Sequence, residues 1–145
     1  MITKSVVLAC GVARAFELFT DHAGEWWPEG RRHTPDLQSE ICMLASGRFW
    51  ERARDGTEVE LGRVRAWEAP HRLVLDFYPG TDAEHPTEVI VTFSATGDDT
   101  LVTVVHRATG ASEALWNARA PRFAASWELL LPALQGFVRR LFEAR

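Results

Sequence analysis

The side chain best placed to do chemistry is His106. In the stretch Thr100–Ala108 it alternates with Val102 and Val104, so the three share one face of a strand. An imidazole at the end of such a face can orient a ligand through one hydrogen bond, or move a proton near neutral pH. The commoner role is a buried ring satisfied by the protein itself, and all three stay open here. The aromatic residues Trp27, Phe49, Trp67, Phe77, Phe93, Trp116 and Trp127, with Leu131, either wall a flat ligand or fill an ordinary core. Asp76 alternates with Leu75 and Phe77, so it points away from whatever they face. The charged strand positions Arg48, Glu51, Arg52, Glu58, Glu60, Arg63 and Arg65 read as an outer, solvated sheet face. His22, His33, His71, His85 and His106 show no metal-ligand spacing, so no metal is expected. No nucleophile elbow, phosphate loop or dinucleotide fingerprint appears, and no cofactor is implied.

The elements that must position these residues follow from periodicity. Phe123, Trp127, Leu130, Leu131, Leu134, Phe137, Val138 and Leu141 recur at spacings of three and four. They predict one long amphipathic helix over Ala120–Ala144, with Arg122, Glu128, Gln135, Arg139 and Glu143 on its polar side. Pro121 suits its first turn, and Pro132, inside it, falls on the polar side. Thr3–Cys10 reads as a first strand. Val12–Thr20 and Asp21–Trp27 read as two short helices. Pro28–Asp36 reads as a polar loop able to act as a flap. Further strands are expected at 37–45, 47–52, 58–68, 71–78, 88–95 and 100–108, joined by turns such as Arg54-Asp55-Gly56-Thr57. From Ala108 to Ala120 a loop and a partial helix are expected.

The chain has 145 residues, 46% of them hydrophobic and 25% charged, enough for one domain over 1–145 with its own core. A net charge of -4 argues against nucleic acid and anionic membrane as partners. No apolar run approaches the ~20 residues that span a bilayer. Cys10 and Cys42 read as buried thiols of a cytoplasmic protein. The adjacent Trp26 and Trp27 do not both fit the buried face of a short helix, so one is expected at a surface contact, as in a homodimer.

Three segments go further. AFELFTDHAGEWWP (15–28) resembles the first-helix segment of the SRPBCC (START-like) superfamily, in the branch related to the activator of the 90-kDa heat-shock protein ATPase. GRFWERARDGTEVELGRVRAWEAPHRLVLDFYP (47–79) is similar to that branch's central strands, and TEVIVTFSATGDDTLVTVVHRA (87–108) to its last hairpin, which ends in a histidine. The usual double proline is Ala69-Pro70 here, a frequent tryptophan is Leu61, and the final segment carries SWELLLPAL. The resemblance implies an α+β helix-grip fold: a curved seven-stranded antiparallel sheet gripping a long C-terminal helix, with two short helices between strands one and two.

It also implies a cavity between sheet and helix. The first expectation is therefore a protein that binds a small apolar or amphipathic ligand in a pocket of a few hundred Å³, on the scale of ligand sites generally. Filling of that space by Trp67, Trp116 and Trp127 would remove it. The alternatives are a cyclase- or hydrolase-like enzyme using His106 as acid or base, and a chaperone-activating interaction module with an exposed apolar face.

Overall fold

The computed structural model describes residues 1–143. Strand β1 (Ile2–Leu8) is followed by α1 (Val12–Thr20), whose Ala15, Phe16 and Phe19 are buried at helical spacing. The chain then makes α2 (Ala23–Trp26) and stops, because Trp27 turns extended at φ −61°, ψ 123°. That break resolves the tandem tryptophans. Trp26 and Trp27 leave the backbone from different conformations, and both are buried. Their indole N–H groups donate to the carbonyls of Leu18 (2.9 Å) and Arg31 (3.1 Å). Neither ring is left for a surface contact, so the reason for expecting a dimer there disappears.

The segment after Pro28 is not a free flap. It forms a 3-10 turn at Glu29–Arg31 and is then held from two sides. The Arg32 guanidinium donates to the carbonyls of Ser39 (2.6 Å), Gly24 (2.7 Å) and Trp27 (3.1 Å), and to the Ser39 hydroxyl (2.9 Å). From below, Glu51 accepts the backbone N–H groups of His33 (2.7 Å) and Thr34 (2.8 Å), one on each carboxylate oxygen. Glu51 was expected on the solvated face with its charged neighbours. It lies instead two residues after Phe49, on the same face of the strand, and is fully buried. Burial raises its pKa, but the hydrogen bonds of His33, Thr34 and Ser39 outweigh it and hold the pKa below the ordinary carboxylate value.

Six further strands follow: β2 (Glu40–Met43), β3 (Arg48–Arg52), β4 (Glu58–Glu68), β5 (Arg72–Phe77), β6 (Thr87–Thr96) and β7 (Asp99–Ala108). They form one antiparallel sheet of seven strands in the order β1-β7-β6-β5-β4-β3-β2. Register shifts at Phe49/Trp50 and Val64/Ala66 mark where extra residues bend the sheet. Gly62 sits in that bend, where a Cβ would meet the Asp76 carbonyl at 2.0 Å. The concave face carries Leu73, Leu75, Phe77, Val89, Val91, Phe93, Val102, Val104 and His106, as alternation predicts. On the outer face Asp76 pairs with Arg65 at 3.1 Å, and Arg48 with Glu58 and Glu60.

The helix α3 (Glu113–Glu143) closes the concave side in 31 residues, longer at its start than the periodicity predicts. Leu115 and Trp116 belong to it, and the expected loop shrinks to the turn before Glu113. The helix runs through both prolines, so Pro121 is internal rather than in the first turn. Both are exposed, where water can satisfy the carbonyls that lose an N–H partner. The predicted end at Ala144 falls outside the described residues. The buried stripe is Phe123, Trp127, Leu130, Leu131, Leu134, Phe137 and Val138. Gln135 donates to the Val7 carbonyl at 2.9 Å and Lys4 reaches Glu128 at 2.8 Å, which seats the helix along the β1 edge. No described helix is long and apolar enough to cross a membrane.

Replacing Glu51 by Ala leaves two loop N–H groups without acceptors. Urea unfolding should show a loss of roughly 2–4 kcal/mol, with about half of it recovered in Glu51→Gln. Glu58→Ala, on the solvated face, should cost no more than about 0.5 kcal/mol.

Candidate functional site

The seven strands and α3 do not meet everywhere. A cleft of about 400 Å³ opens where the Trp27–His33 segment, the end of β5 and the first half of α3 come together. Trp27, Phe77, Phe123, Trp127 and Leu130 make its apolar wall. Pro79 and Gly80 close one side. Gly80 has φ +83°, and a Cβ there would lie 2.4 Å from the Phe123 ring, so its lack of a side chain lets that ring in. The polar part comes from Arg31, Arg32 and His33 on the loop and Arg122 and Ser126 on the helix. Partial burial lowers the His33 pKa, against the pull of the Glu51 carboxylate.

His106 lies behind this wall, not in it. Its ring is fully buried among Phe123 (centroids 4.3 Å apart), Phe77 (5.3 Å), Trp116 (5.5 Å) and Trp127 (6.3 Å). The Trp127 indole can only donate, and it gives its N–H to His106 Nδ1 at 3.0 Å. A neutral ring therefore carries its proton on Nε2, which donates to Thr87 Oγ1 at 2.7 Å. The Thr87 hydroxyl donates in turn to the Phe77 carbonyl at 3.3 Å. Every side-chain polar atom of this Trp127–His106–Thr87 relay has a partner. Burial, aided by the N-terminal ammonium, pushes the His106 pKa down to about 3. The expected roles of ligand contact and acid or base are not the ones its position supports. It backs the cleft wall without lining the cleft, and its pKa is far from neutrality.

The other expected site residues divide in the same way. Trp27, Phe77 and Trp127 line the cleft. Phe49 stands one layer back, between Trp27 (6.4 Å) and Phe77 (6.3 Å). Phe93 packs between Phe16 (5.1 Å) and Phe19 (5.7 Å), and Trp67 sits edge-on to Phe16 at 5.2 Å, both away from the cleft. Trp116 covers His106 and Phe123, and Leu131 is buried in the core. Packing thus fills most of the space under the helix and leaves the opening to one side. Periodicity placed Phe123 and Leu130 on the helix stripe but gave no reason to prefer them as lining. Arg31, Arg32, His33 and Arg122 were missed. A polar loop and the polar side of a helix look solvated until tertiary contacts fold them over a hollow.

A curved antiparallel sheet wrapped around a long terminal helix defines a helix-grip protein. The chain matches the Activator of Hsp90 ATPase homolog 1-like protein family over residues 10–139, and belongs to it. No curated protein matches it in sequence. Among solved structures, the self-sacrificing resistance protein CalC from Micromonospora echinospora is similar at TM-score 0.72 and 23% identity, over 96% of this chain and 94% of that one. Protein NE0264 from Nitrosomonas europaea is similar at TM-score 0.68 and 13% identity, over 99% and 96%. The anthrahydroquino-γ-pyrone synthase Txn09, complexed with SUM, is similar at TM-score 0.54 and 26% identity, over 91% and 95%.

The buried imidazole makes stability depend on pH in a defined direction. Between about 3 and 6.5 the unfolded chain takes up a proton that the native ring refuses. Its contribution is complete above pH 6.5 and is lost as pH falls toward 3. His106→Gln keeps a donor and an acceptor but does not titrate. Urea unfolding at pH 7 and pH 5 should show a smaller difference in the variant, by roughly 2 kcal/mol.

Proposed function

We propose that this protein binds a small, largely apolar molecule in the cleft between α3, the Trp27–His33 segment and the end of β5. The observation that carries the reading is the cleft itself. It offers about 400 Å³ with Trp27, Phe77, Phe123 and Trp127 presented to it. That volume lies in the range of small-molecule sites, and an aromatic wall with a few polar groups is their usual make-up. The likeness to Txn09, a synthase with a bound molecule, supports a site for a small organic compound in this fold. Binding is favoured over catalysis because the lining contains no carboxylate, lysine or cysteine. The one histidine present, His33, has no second acid or base beside it in the lining. The chaperone-activating reading requires a broad exposed apolar face, whereas here the aromatic surface gathers in a concavity.

Ser126 lines the cleft from α3, and its hydroxyl makes no hydrogen bond among the described residues. Ser126→Trp should fill the cleft while leaving the core alone. The neutral dye N-phenyl-1-naphthylamine should bind the native protein saturably with one site. The variant should bind it at least about tenfold more weakly, at an unchanged unfolding midpoint. Equal binding by the two proteins would place the dye elsewhere and remove the reading.

A further inference from the structure

We infer that the molecule held in this cleft carries an anionic group, a carboxylate or its equivalent, on an aromatic or alicyclic body. This rests on the cleft being a binding site, and adds the chemistry of its ligand. The chain as a whole is acidic, with 20 Asp and Glu against 16 Lys and Arg. The cleft reverses that balance. Arg31, Arg32 and Arg122 line it, and no acidic residue does.

Their bonding separates these arginines from most others. Arg14, Arg48, Arg54, Arg65, Arg72 and Arg107 each meet a carboxylate. Arg31 has one contact, from Nη1 to the Gly30 carbonyl at the long distance of 3.5 Å, and its buried Nε has no partner. The Arg122 guanidinium has no hydrogen bond or ion pair among the described residues. Arg32 spends its Nη donors on three carbonyls and a hydroxyl, its buried Nε has no partner, and no carboxylate pairs with it. The nearby Glu51 carboxylate acts on His33 through space, but it is absent from the lining and both its oxygens hold loop N–H groups, so it pairs with none of these arginines.

Other arginines without a carboxylate partner, such as Arg52 and Arg63, stand outside the cleft lining. Arg31, half-buried, and Arg122, exposed at the rim, approach the same hollow from different elements, beside its aromatic wall. There a guanidinium fork suits the two oxygens of a carboxylate, and the attraction is less screened than in solvent. Trp27, Phe77 and Trp127 take the body of the ligand and the arginines take its charge.

The test compares 2-naphthoate with 2-naphthamide, which share one ring system and differ in charge. Calorimetric titration should show the carboxylate binding at least about tenfold more tightly, the scale of one charge-assisted hydrogen bond. The preference should weaken as salt is added. Arg31→Gln and Arg122→Gln should each reduce naphthoate affinity several-fold and leave naphthamide unchanged. Arg65→Gln, which makes the same change in net charge on the outer face, should alter neither. If both compounds bind alike and Ser126→Trp blocks both, the cleft is a binding site and the inference about charge is wrong. If naphthoate keeps its advantage in the Arg31→Gln/Arg122→Gln double variant, or loses it in Arg65→Gln, these arginines are not its source. If neither compound binds the native protein, the binding site and the anion fall together.

Discussion

The link between helix and sheet runs through a polar contact inside the core. Trp127 on α3 donates to His106 on β7, which donates to Thr87 on β6, which donates to the end of β5. Apolar packing is non-directional and would let a smooth helix slide or rotate over a curved sheet. A buried donor-acceptor chain has one arrangement in which every member is satisfied, and any shift leaves polar atoms bare at a cost. The chain sets the height and rotation of α3 over β5, and so determines that Trp127, Phe123 and Phe77 together make the cleft wall. It also explains how an imidazole is tolerated in a fully buried place. The ring stays neutral, and both its nitrogens are used.

A second constraint shapes the other wall. The polar segment after Pro28 has little apolar surface with which to dock. It is held by two charged groups used as backbone clamps, Arg32 gathering carbonyls from above and Glu51 gathering N–H groups from below. A carboxylate that accepts two backbone N–H groups is an effective anchor, because its desolvation is offset by charge-assisted bonds. The cleft is therefore bounded by two kinds of support, a neutral hydrogen-bond chain under the helix and an ionic brace under the loop. Arg31, between them, is left with an unpartnered Nε.

Much of the scaffold was legible in the residues. Alternation in Leu73-Leu75-Phe77, Val89-Val91-Phe93 and Val102-Val104-His106 assigned the concave face, and the spacing of Phe123 through Val138 assigned the helix stripe. Period is a local property, and both patterns are long enough to stand out. The site was less legible. Glu51 shows why: its neighbours Arg48, Arg52, Glu58 and Glu60 are charged, and composition grouped it with them. The parity that joins it to Phe49 was there to be read, but only the loop folded above it explains a carboxylate on an inner face. Trp26 and Trp27 show the reverse error, where a helix assumed to continue through both residues stops between them.

The sequence by itself settled the order of elements, the buried face of the long helix and of the last three strands, and the family resemblance, because these depend on near-neighbour spacing along the chain. Which rings would end up lining the hollow was decided only in three dimensions. Phe93 and Trp67 are as aromatic as Phe77 and Trp127, yet they pack onto α1 while the latter border the cleft. The same holds for Arg31 and Arg122, ordinary surface residues by their local context, which distant segments bring to one concavity. Enclosure by water-excluding walls is a property of that assembled shape, and no single stretch of the chain contains it.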